Sequence, residues 1–302
     1  MPSARPLFTV FTGTYNRGGL LPRVYACLCA QTLQDFEWLI VDDGSTDDTR
    51  ERVMAMATQA AFSIRYIYKE NGGVHTAHNV AVQAAAGELF LRADSDDEFV
   101  PEALGTLARA WRAIPEGSLK KYSGVSCLCM DESGAVIGDQ YPADTWDSVP
   151  SILAGLKGEK WGFHRASILR KFLFPVFPGE KFVPESLVWD RLQVTYSTRC
   201  INVPLRIYHS ASGSLSKSIS ALRYSSGRGF LLYYTESLTR PQTVSRLVRL
   251  CSNYTRISLG LHRSWAQIII ESPRKFWTLI TLPLGLALYL RDRARGLTEA
   301  SS

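Results

Sequence analysis

The chain lacks a stretch that could cross a membrane as a helix: the uncharged run Phe276 to Leu290 stops at 15 residues, where a span needs about 20. Pro283 and Gly285 further weaken a straight span. No low-complexity tract and no internal repeat is present, which argues against long disorder away from the ends. The six cysteines do not take zinc-site spacing, because Cys27/Cys29 and Cys127/Cys129 are separated by one residue each. Buried thiols are therefore expected, and with them a protein that is cytoplasmic or faces the cytosol. Met1 to Pro6 hold one Arg and no apolar run, so no secretory leader is expected at this start. No RNA- or DNA-binding motif is visible, so no nucleic acid partner is expected.

What is present is 302 residues, 46% of them hydrophobic, enough to bury a full core in one large domain with an appendage. The net charge of +6 is unevenly placed. Residues 1–221 hold 22 Lys/Arg against 24 Asp/Glu, whereas residues 222–302 hold 12 against 4. A near-neutral body with a basic, apolar tail suits a peripheral contact with an anionic membrane surface. The flanked run 276–290 reads as an interfacial helix, with a buried packing helix as the alternative.

The first hundred residues alternate short apolar runs with helical patterns, which predicts βαβ units and a Rossmann-like, mainly parallel α/β sheet flanked by helices. Strands are expected at Leu7–Thr12, Phe36–Val41, Ser63–Tyr68 and Leu89–Ala93. Helices are expected at Leu20–Ala30, after the segment Asp42 to Asp48 and through Thr58, and at Thr76–Ala86. Ser45 is placed to cap the second helix, and Pro101 to open the helix after the acidic loop Asp94–Glu98. Beyond residue 115 the signals weaken to strands near Gly124–Met130 and Ile201–Tyr208 with a turn at Ser133-Gly134. Past Ser220 the texture is helical throughout. The expected organisation is a domain over 1–220, in halves 1–115 and 116–220, and a helical C-terminal extension over 221–302.

In such sheets ligands bind outside the carboxyl ends of the strands. Polar clusters stand at three of those ends: Gly13-Thr14-Tyr15-Asn16, Asp42-Asp43-Gly44-Ser45 and Asp94-Ser95-Asp96-Asp97. An aspartate pair before a helix is commonly a cap, and an acidic loop a solvated turn. Three in order, on neighbouring strands, would share one crevice.

The ordered blocks Thr14-Tyr15-Asn16, Gln31-Thr32, Phe36 to Asp47, Asn71-x-Gly73, Ala77-His78-Asn79, Gly87-Glu88-Leu89, Asp94-Ser95-Asp96-Asp97 and Pro101 to Leu104 resemble glycosyltransferase family 2, over residues 7–110. The resemblance implies a GT-A fold and an inverting transferase that takes a sugar from a nucleotide diphosphate. The first half, 1–115, would then bind the nucleotide sugar, and 116–220 the acceptor.

By resemblance, Tyr15 flanks the nucleobase and Asp43 accepts from its ring NH, a pairing that suits uracil and hence a UDP donor. Asp94 and Asp96 form the Asp-x-Asp (DXD) motif around Ser95. In it Asp96 holds Mn²⁺ or Mg²⁺ against the diphosphate, and Asp94 serves the ribose or supports from behind. His78 stands where the family often has Arg, which puts that diphosphate contact in question.

In the second half, Pro184-Glu185-Ser186, followed by Trp189 and Arg191, resembles the family's acidic pair with Ser186 in place of the second acid. Glu185 is the candidate catalytic base and Asp190 a distant second; a carboxylate at a helix start is the structural alternative. Trp161 could stack on a sugar or pack in the core, and His209, before Ser212-Gly213-Ser214, could meet metal or phosphate or be structural.

The acceptor suggested by the basic tail is a saccharide or lipid-linked saccharide at the cytoplasmic membrane face, as in surface polysaccharide biosynthesis. Two rivals stand beside this reading. A sugar-1-phosphate nucleotidyltransferase would want a Gly-rich, Arg- and Lys-bearing loop after strand one, which Gly13 to Gly19 supplies poorly. A non-catalytic nucleotide-sugar-binding protein would share the altered positions His78 and Ser186.

Overall fold

Apolar alternation with a period of two sets the sheet's two faces. In the computed structural model, which describes residues 5–148, 156–209 and 219–298, the first half runs β1 (Phe8–Thr14), α1 (Leu21–Cys29), β2 (Phe36–Asp42), α2 (Thr49–Gln59), β3 (Ser63–Tyr68), α3 (Val74–Ala84) and β4 (Leu89–Arg92). Phe8, Val10, Trp38 and Ile40 pack to one side with Leu21, Val24, Leu28 and Leu104, while Phe11, Leu39 and Val41 pack to the other with Ala77 and Ala81. Every residue of β2 is buried, as expected of a strand covered on both faces.

Then follow β5 (Glu98–Phe99), α4 (Ala103–Arg112), β6 (Tyr122–Met130), β7 (Thr145–Asp147), β8 (Lys160–Arg165), α5 (Ala166–Leu169), α6 (Ser186–Thr195) and β9 (Ser197–Ile207). Among the described residues the strand order is β3-β2-β1-β4-β8-β6-β9-β5, with β7 also on β9. The tract β3-β2-β1-β4 is parallel throughout, with Thr14 beside Asp42 and Phe11 beside Arg92. Beyond β4 the sheet turns mixed: β8 is antiparallel to both its neighbours, and β6 with β9 is parallel but bulged.

Three local expectations change. α2 begins at Thr49, and its first amide is taken by Asp47 at 3.2 Å rather than by Ser45, whose hydroxyl accepts from the Asn16 amide instead. Pro101 precedes the N-cap Glu102 rather than opening the helix. Cys29 is exposed, unlike buried Cys127, Cys129, Cys200 and Cys251, because two helical residues rotate it about 200° away from half-buried Cys27.

The chain divides into two compact units, 1–173 with 188–211 and 174–187 with 212–302. The second holds α7 (Ile219–Ser225), α8 (Gly227–Thr239), α9 (Val244–Gly260), α10 (Trp265–Ile270) and α11 (Lys275–Ala294). No helix among the described residues is long and apolar enough to cross a membrane. α9 and α11 meet through small side chains: a Cβ on Gly285 would stand 2.6 Å from the Thr255 Cβ and 2.9 Å from the Ser252 carbonyl oxygen.

At the far end of α11, Asp292 is buried and accepts from Arg256 Nε at 2.5 Å and from the Tyr224 hydroxyl at 2.7 Å. Burial pushes its carboxyl up, but the Tyr224 and Arg256 hydrogen bonds and the Arg256 charge outweigh this and hold it below the ordinary value. A depressed folded value means the stabilisation is present above the unfolded carboxylate range and is lost as pH falls through the folded value. Asp292→Asn strands a buried guanidinium and is expected to cost about 3–5 kcal/mol near neutrality. Chemical denaturation from pH 7 down to pH 3 should show the two proteins converging; a constant gap would contradict the assignment.

Candidate active site

The three polar clusters lie at the carboxyl ends of β2, β1 and β4, which are adjacent in that order. Hydrogen bonds tie the loops together. Asn16, at φ +52°, takes the left-handed conformation that Asn tolerates. From there its amide donates to Ser45 Oγ at 2.8 Å and its Oδ1 accepts from the Thr46 amide at 2.7 Å. The turn leaves Tyr15 48% exposed, an aromatic face directed away from the core. The next residue crosses to the other loop: Arg17 Nη1 lies 3.3 Å from Asp96 Oδ2 and 3.5 Å from Ser95 Oγ. Arg23 adds a contact to the Asp96 carbonyl oxygen at 3.4 Å.

The β2 end is rigidly built. Asp42 is buried and accepts from the Tyr66 hydroxyl at 2.6 Å and the Ser45 amide at 2.7 Å. Asp43 is buried too. Its Oδ1 accepts from Lys69 Nζ at 2.5 Å and the Gly72 amide at 3.0 Å, and its Oδ2 from the Gly73 amide at 2.7 Å and, more weakly, Asn71 Nδ2 at 3.3 Å. Gly44, at φ +90°, passes so close to Asn71 that a Cβ would stand 2.8 Å from its backbone nitrogen.

The β4 end is a tight acidic turn. The Asp97 amide donates to the Asp94 carbonyl at 2.9 Å, and Asp97 Oδ2 accepts from the Asp94 amide at 2.8 Å. Arg206 from β9 pairs with Asp97 at 2.6 Å, and Arg92 with Asp94 at 2.6 Å. Burial and the neighbouring Asp94 charge push Asp97 up to about 7, with Arg206 pulling the other way. Burial also works to raise Asp94, but Arg92, Arg206 and Arg17 outweigh it and bring that carboxyl below the ordinary value. Ser95 is buried between them.

Among the described residues no three His, Cys, Asp or Glu side chains gather as a protein-only metal cage. A hard cation held against a diphosphate needs only one or two carboxylates, phosphate oxygens and water filling the rest. Asp96 fits that demand: its side chain is 25% exposed and its link to Arg17 is long. Asp94 is tied more closely, to Arg92.

His78 is placed elsewhere. It is 3% exposed, its ring 5.8 Å from Phe11, 5.3 Å from Phe90 and 6.0 Å from Trp189, and burial with the nearby Arg92 charge pushes it down to about 3. An uncharged imidazole in an aromatic box supplies no cation to a diphosphate. Trp161 is a core residue, its indole donating to the Arg92 carbonyl at 2.7 Å. His209 bridges Glu132 at 2.5 Å and Glu98 at 2.8 Å, and those bonds raise its pKa. Glu185 lies in the second unit, half-buried, one residue before α6; Asp190 is half-buried on α6 in the first. Ser212-Gly213-Ser214 lies outside the described residues. Sequence reasoning missed Arg17, Lys69 and Arg92, which with Arg206 are the cations that meet the site's aspartates. Only Arg17 carried a signal, its position directly after Tyr15-Asn16.

Residues 9–123 match the family model described as glycosyl transferase family 2. The likeness to family 2 covers that segment, 115 of the 302 residues. A glycosyltransferase of Nostoc sp., itself uncharacterised, is 35% identical over 104 residues, 34% of this chain and 32% of the relative. The chain spans about a third of the length of the first curated relatives it matches, 32% and 35%. Two solved structures share the fold. Staphylococcus aureus TarS 1–349 in complex with UDP-GlcNAc has a TM-score of 0.64 at 17% identity, covering 97% of this chain and 90% of that one. The mannosyltransferase PcManGT of Pyrobaculum calidifontis, in complex with GDP-Man and Mn²⁺, has 0.53 at 18% identity, covering 99% and 86%. The fold of the chain is GT-A.

Proposed function

We propose that the protein is an inverting glycosyltransferase that moves a sugar from a nucleotide diphosphate, UDP in the first instance, to the hydroxyl of a lipid-linked saccharide at the cytoplasmic membrane face. One observation carries the reading: Tyr15, Asp43 and Asp96 stand on loops of three adjacent strand ends joined through Asn16 and Arg17. The bound substrates of the two solved relatives support a nucleotide sugar as donor.

In this reading Tyr15 presents its ring to the base. Asp43 takes the base NH in place of its weakest partner, the 3.3 Å Asn71 contact, while the Gly72 and Gly73 amides keep the carboxylate fixed. Asp96 holds Mn²⁺ or Mg²⁺, which when bound offsets charge on the leaving diphosphate. Arg17, freed from Asp96, supplies the diphosphate with the cation that buried His78 does not. Asp94 orients the ribose. Glu185 accepts the proton of the acceptor hydroxyl as its oxygen attacks the anomeric carbon in a single displacement.

The test is release of nucleotide from a panel of UDP- and GDP-sugars with Mn²⁺, with and without a polyprenyl-diphosphate saccharide. Release that rises with the acceptor is expected. Tight nucleotide binding with neither hydrolysis nor transfer from any donor would instead mark a non-catalytic binding protein.

A further inference from the structure

The fully buried residues of α11 are small or polar, Thr278, Thr281, Gly285 and Asp292, with Trp277 and Tyr289 packed part-buried on the same core. The stripe facing away, one turn apart along the helix, is Phe276, Leu279, Ile280, Pro283, Leu284, Ala287 and Leu290. Phe276 is 69% exposed and Leu279 and Ile280 55% each. Beside this stripe, Trp265 of α10 shares an apolar hollow with Leu282, Pro283 and Leu286, and Ile270 is exposed close by in sequence. In water the arrangement is unfavourable on both counts, since large apolar side chains are wetted and polar ones desolvated. Helices surrounded by lipid pack in this way, through small residues and internally satisfied polar groups. Here the Ser272 and Thr278 hydroxyls bond at 2.6 Å, Thr281 donates to the Trp277 carbonyl at 2.9 Å, and Asp292 is paired with Arg256.

The geometry points to an anionic bilayer surface as the occupant of this face, with α11 lying in the interface plane. Charge selects lipid over a second copy of the chain. Arg274 and Lys275 stand at one end of the apolar stripe and Arg291, Arg293 and Arg295 at the other. Two copies of α11 paired in either direction would set cations against cations at both ends. Glu271 is paired with Arg263 and Asp292 with Arg256, so among the described residues the acids at the two ends of α11 are already engaged. Anionic headgroups complement both ends while the stripe enters the acyl boundary. The inference gives the lipid-linked acceptor of the proposed function a surface to work from, and it rests on that reading only there.

The test mixes the full chain with vesicles of phosphatidylcholine alone or with added phosphatidylglycerol, and reads co-sedimentation. Binding is expected to the anionic vesicles and to fall with salt. Ile280→Glu with Leu284→Glu, both at exposed positions, should weaken it by on the order of tenfold or more. Arg293→Gln and Arg295→Gln together should cut it by roughly fivefold for each charge in reach of the surface, leaving melting temperature unchanged; Arg291, 3.5 Å from Asp292, is kept. No binding by the unaltered chain, or a stable dimer that the Glu variant dissolves, would overturn the inference. UDP binding with Mn²⁺, measured on the same samples, separates the two readings: its loss alone sinks the donor reading, and loss of vesicle binding alone sinks the docking face.

Discussion

Asp96→Asn is expected to lower sugar transfer by roughly 10³-fold or more, the several kcal/mol that a metal clamp on a leaving diphosphate supplies. It should also weaken UDP binding in Mn²⁺ while leaving metal-free binding near its original value. The substitution keeps size, turns one acceptor oxygen into an NH2 donor and removes the charge that would hold a cation. Its cost to stability should be small, because the Arg17 contact is 3.3 Å long and both side chains reach solvent, where such pairs contribute about 0–1 kcal/mol. A melting temperature within a few degrees of the original, with transfer lost, is the expected pattern. Its neighbours predict a different one. Asp97 holds the turn together and pairs with half-buried Arg206, so Asp97→Asn should lose stability first. Stopped transfer with an unaltered Mn²⁺ dependence of UDP binding in Asp96→Asn would show that this carboxylate does not hold the metal.

Glu185→Gln is expected to reduce kcat by ~10²–10⁴-fold, the usual contribution of a positioned base, with UDP and metal binding intact. Glutamine fills the same space and cannot accept the acceptor's proton. The contrast with Asp96 is the diagnostic: one variant should lose donor affinity and turnover together, the other turnover alone. Full turnover in Glu185→Gln would remove this residue from the mechanism and direct attention to Asp190.

How much could be read beforehand follows from how local each signal is. β1, β2 and β4 are short, mostly buried runs and β3 a half-exposed strand beside them in one parallel tract, so their positions came within two residues and their loop clusters could be aligned with the carboxyl ends. β5 and β7 are two and three residues long and owe their existence to β9, a partner far along the chain; no periodicity reports them. The acids were visible as acids, but not their partners. Asp43 is saturated by Lys69 and by two glycine amides from another loop, and nothing in Asp42-Asp43-Gly44 encodes that. His78 was legible as a departure from Arg, yet its burial among Phe11, Phe90 and Trp189 depends on three separate elements. Likewise the apolar run of α11 was plain, whereas its direction is set by Ser252 and Thr255 of α9, which accept only a small neighbour such as Gly285.

Titration calorimetry of UDP into the purified chain, with Mn²⁺ and then with EDTA, tests most directly whether aspartates from neighbouring strands assemble one donor site. Saturable one-to-one binding that tightens markedly with Mn²⁺, and no longer does so in Asp96→Asn, is the predicted result. Folded protein that takes up neither UDP nor any other nucleotide diphosphate in the presence of manganese or magnesium would contradict the account at its root.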